Sequence, residues 1–424
     1  MKKGLSWLVT ILFISILLIP GTAIAIDSHI INKNTAQSSE KDNLGFHLSG
    51  LDFDHQIALY MKLGHMPSLS ACIVKNNSVK WAQAYGDADR ETLRGATPDS
   101  IYTAGSISKS IAAVAVMQLL EKKLITSLDD DVNNYLDFKL RHPCYKDTKI
   151  TIRMLMAHES GLISYDIPMF IYFSLLGYPR SWLKEFLTPN GQYYSPLVWS
   201  KDEPGTKNHY SSLNFEIIGY LIERITHQPY EQYVRENIFE PLNMPSTSTS
   251  YFLSELNASN LVVPYTWIAG RYVRLPHYEV RTPASGGLKT TTLDLAHYLI
   301  IHMNGGVYNG TRILNSTSIN EIHRGQYDLH DKDNLSFGLG WYSFNGSDGN
   351  MYGGHDGTIP GGRSVMRVRY HDNIGVIFFY NEYQFVFSRE KSSPLRIIAH
   401  SIGRLEIFAC QMVEKLLFEK AENL

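Results

Sequence analysis

The chain has 424 residues, 19% of them charged and 44% hydrophobic, with a formal net charge of -2. That is a globular composition, long enough for one large or two intermingled domains. It lacks the basic excess that nucleic acid or an anionic membrane surface would favour.

Lys2 and Lys3 precede the apolar run Leu5 to Pro20, and Ala23-Ile24-Ala25 puts small residues at the two cleavage positions. This is the layout of a secretory signal peptide over 1–25, cut after Ala25. The run is short for a bilayer span of about 20 residues, which favours cleavage over an uncleaved anchor. A secreted or extracytoplasmic location is expected, periplasmic or at the cell surface, the alternative being a membrane anchor through an uncleaved segment. Residues 26–44 are polar and read as a flexible lead-in.

Leu51 to Leu63 has helical spacing and ends at Gly64. Leu69 to Val74 and Val79 to Tyr85 read as strands joined by an Asn76-Asn77 turn. Then comes Ala104-Gly105-Ser106-Ile107-Ser108-Lys109-Ser110, leading into an apolar run that reaches Leu120. Apolar residues fall on every face of such a helix, as in one buried all round. Lys109 would then sit inside the protein, where an ammonium is costly unless paired or deprotonated. Ser106, three residues earlier, shares its helical face. A buried amine beside a serine at a helix N-terminus is a way to activate a nucleophile; the competing reading is a lysine that snorkels to the surface. Spacing alone does not decide, because Ser38–Lys41, Ser181–Lys184 and Ser388–Lys391 repeat it.

The stretch from about Lys149 to Asn304 reads as mostly helical and loop-rich. It includes a helix over Ile152 to His158 closed by Ser160-Gly161, a turn at Pro204-Gly205, and helices over Asn214 to Thr226, Pro229 to Phe239 and Leu293 to Met303. Ser285-Gly286-Gly287-Leu288 reads as a tight turn. Strand character returns over Gly338 to Tyr342, Ser364 to Tyr370 and Ile374 to Tyr380, and Leu395 to Glu419 forms a last helix. Hairpins rather than strand–helix–strand units predict an α+β fold with an antiparallel sheet. Of the three cysteines, Cys72, Cys144 and Cys410, at most one bridge can form, and none has metal-site spacing.

Two further stretches bear on chemistry. Tyr210-Ser211-Ser212 follows the Pro204-Gly205 turn, and a tyrosine near two cations is poised as a proton shuttle because positive charge favours the phenolate. Tyr352-Gly353-Gly354-His355-Asp356-Gly357-Thr358-Ile359-Pro360-Gly361-Gly362 is dense in glycine. Glycines let backbone approach a ligand, and a strand edge with free N–H groups serves as an oxyanion hole and substrate rail; a hairpin loop is the alternative. His323-Arg324-Gly325 shares the His-x-Gly form without that context.

In this order, Ser106-x-x-Lys109, Tyr210-x-Ser212 and His355-x-Gly357 resemble the serine β-lactamase and penicillin-binding-protein family, in its class C-like branch of D,D-peptidases, D-aminopeptidases and esterases. The resemblance runs from about residue 50 to 385. It also takes in Ile150 to Leu162, Pro283 to Thr291 and Gly338 to Trp341. It implies an antiparallel sheet flanked by helices, with a mainly helical insertion. A catalytic domain over 45–424 would divide into a sheet part (about 45–100 and 335–424) and a helical part (about 101–334).

The resemblance casts Ser106 as acyl-accepting nucleophile, Lys109 as its proton partner and Tyr210 as shuttle to the leaving group. His355 replaces the usual lysine, Gly357 admits substrate, and the N–H groups of Ser106 and Thr358 form the oxyanion hole. No metal or cofactor is implied. Ser212 stands where the family has asparagine, and His355 removes a fixed charge; both changes favour an esterase or peptidase over a dedicated β-lactamase. The expected partner is a small amide or ester, including a D-amino-acid peptide of cell-wall origin, and no nucleic acid. The competing class is a catalytically impaired relative that binds peptidoglycan or a protein in the same groove.

Overall fold

The computed structural model describes residues 51–163, 182–268, 270–327, 335–383 and 394–424. The signal-peptide and lead-in readings fall outside these residues, as do the Ser38–Lys41 and Ser388–Lys391 pairs and Ser181.

A single eight-stranded antiparallel sheet organises the chain. Its strands are β1 Ser68–Lys75, β2 Ser78–Asp89, β3 Arg94–Gly95, β10 Leu335–Phe337, β11 Tyr342–Asn345, β12 Met351–Ile359, β13 Gly362–Arg369 and β14 Ile374–Tyr380. Their order across the sheet is β10-β11-β12-β13-β14-β1-β2-β3, so β1 pairs β14 and joins the two ends of the chain. The β1–β2 hairpin turns at Asn76 and Asn77, both with left-handed φ (53° and 56°), the geometry that suits the right-handed twist of two strands.

Both faces of the central strands are covered, which is why β1 and β14 read as near-continuous apolar runs. Leu69, Ala71 and Ile73 with Val376, Phe378 and Tyr380 face one layer; Cys72, Val74, Ile377 and Phe379 face the other. The first layer holds α1 Phe53–Leu63 and α10 Pro394–Glu422. Asp52 caps α1 by accepting from His55 N at 2.9 Å, satisfying one of the helix's free amides.

The second layer is the helical part of the chain. It comprises α2 Ser108–Glu121, α3 Ile152–Met156, α4 Trp182–Leu187, α5 Ser212–Thr226, α6 Tyr230–Val234, α7 Pro283–Gly286, α8 Thr292–Met303 and α9 Ser316–His323. Of these, α8 packs on β1 and β14. The first twelve residues of α2, Ser108 to Leu119, are all buried, and its neighbours include α5, α6, α7 and α9. Short pairs complete the region: β4 Tyr102–Thr103 with β7 Lys289–Thr290, β5 Tyr265–Ile268 with β6 Arg271–Arg274, and β8 Val307–Tyr308 with β9 Thr311–Arg312. The molecule is therefore α+β, and no described helix is long and apolar enough to cross a membrane.

Several local expectations are corrected. Gly338 to Trp341 is not strand but the connection between β10 and β11, and Gly340 there has φ +59°. A Cβ on Gly340 would come within 2.8 Å of the Lys109 carbonyl oxygen, so the backbone itself packs on α2. The helix from Ile152 ends at Met156, because His158 takes a left-handed φ of 61° before Ser160 is reached. The 283–286 stretch is a helical turn rather than a tight reversal. The β5–β6 hairpin has only four residues per strand, too short to impose a pattern on the sequence around it. All three cysteines are free: Cys72 and Cys410 are buried on opposite faces of the sheet, and Cys144 is exposed.

Candidate active site

Everything at the site is positioned from the turn that follows β4. Gly105, with φ +54°, lies so close to β12 that a Cβ on it would fall 3.0 Å from Thr358 N and 3.1 Å from Gly357 Cα. A 3-10 turn over Gly105–Ile107 runs straight into α2. Ser106 thus stands at the mouth of that helix. Two hydroxyls brace the turn: Ser108 Oγ donates to Gly105 O at 2.8 Å, and Ser110 Oγ donates to Ile107 O at 2.8 Å.

Lys109, one turn along α2, is 0% exposed. Its Nζ donates to Ser106 Oγ at 2.9 Å, to Ser212 Oγ at 3.3 Å and to the Ser285 carbonyl at 2.7 Å. Three neutral acceptors, and no carboxylate within ion-pair distance among the described residues, leave the ammonium poorly compensated. Burial pulls its pKa down to about 7, with Glu216 acting in the opposite direction. At neutral pH a large fraction of Lys109 is therefore the free amine, which is a base.

Tyr210 lies two residues before α5, with Ser211 between them as the cap, and Ser212 is the first residue of that helix. Its ring lies 4.3 Å from His158 and 6.3 Å from His355, centroid to centroid, and Lys109 Nζ sits 5.1 Å from its centroid. The expectation of a phenolate is corrected here. Burial raises the Tyr210 pKa well above the usual tyrosine range, and a polar contact with Ser106 only partly opposes this. The two supposed cations are weak ones: Lys109 titrates near neutrality, and His355 is held down to about 4, first by burial and then by Lys109. Tyr210 is a neutral phenol, able to donate.

The glycine-dense stretch is neither loop nor outer edge; it is β12, inside the sheet. Even so, half of one side is open. Strand β11 pairs it only from Tyr342↔Gly354 to Asn345↔Met351, while β13 pairs it throughout on the other side. From His355 to Ile359 the side facing the Ser106 turn has no partner strand. A Cβ at Gly357 would sit 2.0 Å from Ala104 O and 2.3 Å from Ser364 Oγ, so only glycine lets β12 lie against the nucleophile turn. Thr358 is exposed, and His355 is buried with its Nδ1–H donating to Asp356 O at 2.6 Å. That leaves Nε2 as an acceptor.

Ser106, Lys109, Tyr210 and Ser212 thus form one polar cluster, with His355, Gly357 and Thr358 along the open strand edge beside it. Three contributors were not singled out from sequence. His158 accepts from Ser211 N and Asn214 Nδ2, both at 3.2 Å, and supports the Tyr210 ring. Glu216 accepts from Ser285 N at 2.9 Å and so anchors the residue whose carbonyl holds Lys109. Gly340 packs on the Lys109 backbone. Only the wider segments around His158, Ser285 and Gly340 carried a signal. The second His-x-Gly, at His323, is half-buried and stacks on His302 and Trp341.

A model of the Beta-lactamase family matches residues 53–400. Among curated proteins, the chain is 24% identical over 331 residues to Protein flp of Staphylococcus aureus strain N315, covering 76% of this chain and 61% of that one. It thus spans about three-fifths of the length of the curated relatives it matches first. Among solved structures, a penicillin-binding protein homologue from Pyrococcus abyssi superposes with a TM-score of 0.65 at 23% identity, covering 83% of this chain and 77% of that one. D-amino acid amidase from Ochrobactrum anthropi SV3 does so with a TM-score of 0.64 at 18% identity, covering 85% and 99%.

Proposed function

Because the chain belongs to the Beta-lactamase family, we propose that it is an exported serine hydrolase that cleaves a small ester or amide through an acyl-Ser106 intermediate. The observation that carries this reading is the 2.9 Å contact between the Ser106 hydroxyl and a buried lysine whose pKa is about 7. Neutral Lys109 takes the proton from Ser106 Oγ as the oxygen attacks the substrate carbonyl. The developing oxyanion is received by the N–H groups of Ser106 and Thr358, an interaction in which one donor typically contributes about 3–4 kcal/mol. Tyr210 hands a proton to the leaving group as the carbonyl–leaving-group bond breaks and is reprotonated from Lys109. Water then attacks the acyl carbon, with the same groups acting in reverse.

The two departures from the family pattern narrow the substrate. Ser212 spends its hydroxyl on Lys109 and offers no amide to a substrate peptide group. His355, neutral above about pH 4, presents no cation to a carboxylate on the leaving group. Both features favour a neutral leaving group, an alcohol or a simple amine, over a β-lactam or a peptide ending in a free D-amino acid. Steady-state hydrolysis of a phenyl butyrate ester and of a D-amino-acid amide, by wild type and by Ser106→Ala, tests the reading. Turnover of at least one substrate by wild type, lost in Ser106→Ala, is expected; equal rates in the two proteins would refute it.

A further inference from the structure

Beyond Thr358, strand β12 runs out at Ile359 and turns through Pro360 and Gly361 into β13. Beside this turn is a cleft lined by Tyr102 and Thr103 of β4, Pro264, His277, Tyr278 and Lys289 of β7, among others. Its walls are firmly built. Tyr278 donates to the Pro360 carbonyl at 2.6 Å, Lys289 exchanges backbone hydrogen bonds with Ser250 in both directions, and Thr103 pairs with Lys289.

The side chain of Lys289 is the anomaly. It is 4% exposed, and its Nζ has no hydrogen-bond partner among the described residues. Other charges nearby are committed elsewhere. Arg274 pairs with Asp89 and Glu91 at 3.6 and 3.1 Å. Arg94 donates to the Leu261 carbonyl. Glu279 accepts from Leu253 N at 2.9 Å and faces Arg281 at 4.0 Å. The His277 imidazole is held below its ordinary range, first by desolvation and then by Arg274, Lys289 and Arg94. Burial lowers the Lys289 pKa to about 8, with Glu279 acting in the opposite direction, so at neutral pH most of it is a buried ammonium with no hydrogen-bond or ion-pair partner at contact distance among the described residues, an arrangement that is costly. A ligand that brings one negative charge removes that cost.

Direction along β12 says which part of a substrate would bring it. His355 and Tyr210 lie toward one end of the open edge, where the leaving group departs. Gly361 and Gly362 line the cleft at the other end, where the acyl chain points once the carbonyl is seated between Ser106 and Thr358. Only Ile359 and Pro360 lie between Thr358 and Gly361, so the cleft begins at most about 10 Å along the backbone from the oxyanion position. We infer that the cleft receives a carboxylate at the far end of a short acyl chain, held by the Lys289 ammonium, so that the preferred substrates are half-esters or half-amides of small dicarboxylic acids. A doubly charged phosphate would leave one charge unmatched beside a single ammonium and apolar walls such as Ile101, Leu261 and Val262.

This inference rests on the acyl-Ser106 reading, and the test separates the two. Phenyl half-esters of succinate, glutarate and adipate are compared with neutral esters of the same length. Wild type is expected to favour the best acidic ester by about tenfold in kcat/KM, and Lys289→Met to bring that ratio to within about twofold of one, with Lys289→Arg restoring part of it. A wild-type ratio near one, or a ratio unchanged by Lys289→Met, overturns the proposal. If no ester is cleaved, the hydrolase reading fails instead. Calorimetric titration of glutarate into wild type and Lys289→Met then decides the anion site: binding lost in the variant supports it, and no binding to either protein overturns it. Circular dichroism confirms that the variants are folded.

Discussion

At the scale of the residue, the chemistry turns on how burial sets protonation. Water is excluded around Lys109, and its pKa falls to about 7; the base needed to deprotonate a serine is then available without an acidic partner. Since only the free amine accepts a proton, kcat/KM for a neutral ester is expected to rise with pH through about 7 and to level off above it. His355, at about 4, is already neutral across that range and adds no second limb. A pH–rate profile from 5 to 9 on a neutral ester checks this, and a flat profile would contradict it. Tyr210, a neutral phenol rather than a phenolate, acts only where the leaving group needs a proton. Tyr210→Phe is therefore expected to slow cleavage of an alkyl ester by about a hundredfold and of a nitrophenyl ester much less, because nitrophenolate departs unprotonated. Equal losses on both esters would argue for a positioning role alone.

At the scale of the element, the decisive feature is a strand with half an edge. Because β11 stops opposite Gly354, His355 to Ile359 faces the nucleophile turn with unpartnered backbone, and Gly357 permits the approach. Gly357→Ala would place a methyl 2.0 Å from Ala104 O, pushing β12 away from Ser106. A shift of about 1 Å at a reacting centre costs on the order of a hundredfold in kcat. The variant is expected to show that loss while keeping its circular dichroism, and wild-type kcat would refute the packing argument. Elements of this kind set the limit on what could be read from the sequence. The α2 helix and strands β1 and β14 were legible because they carry apolar runs fixed by burial all round, and β2 because it follows β1 through the Asn76-Asn77 turn. Strand β12 was legible only as one of two readings, a strand edge or a hairpin loop, since five glycines (353, 354, 357, 361 and 362) mark its run as far as β13 and leave no apolar pattern to decide until the backbone they pack against is known. The polar cluster itself was legible as Ser106, Lys109, Tyr210 and His355. Their supports were not: Glu216 and His158 act through a peptide group and a ring contact that leave no spacing rule.

At the scale of the whole molecule, the site exists because the two ends of the chain close one sheet over a helical middle. Strands β1 to β3 and β10 to β14 share that sheet, Ser106 leaves it through β4, and Tyr210 arrives from the helical side. The face of the sheet away from the site is sealed by α1 and α10, with Val413 and Leu417 fully buried there. Leu417→Ala is expected to destabilise the protein by about 2–5 kcal/mol in a denaturant titration while leaving the pH midpoint of the ester reaction unmoved, since the lesion lies across the sheet from Lys109. The central claim remains the identity of the nucleophile, and one measurement addresses it most directly. Folded wild-type protein is incubated with a fluorophosphonate, its intact mass is recorded, and the adduct is located by peptide mapping. A single adduct on Ser106, absent from Ser106→Ala and slowed in Lys109→Met, is the predicted result; no adduct, or one on another residue, would contradict it.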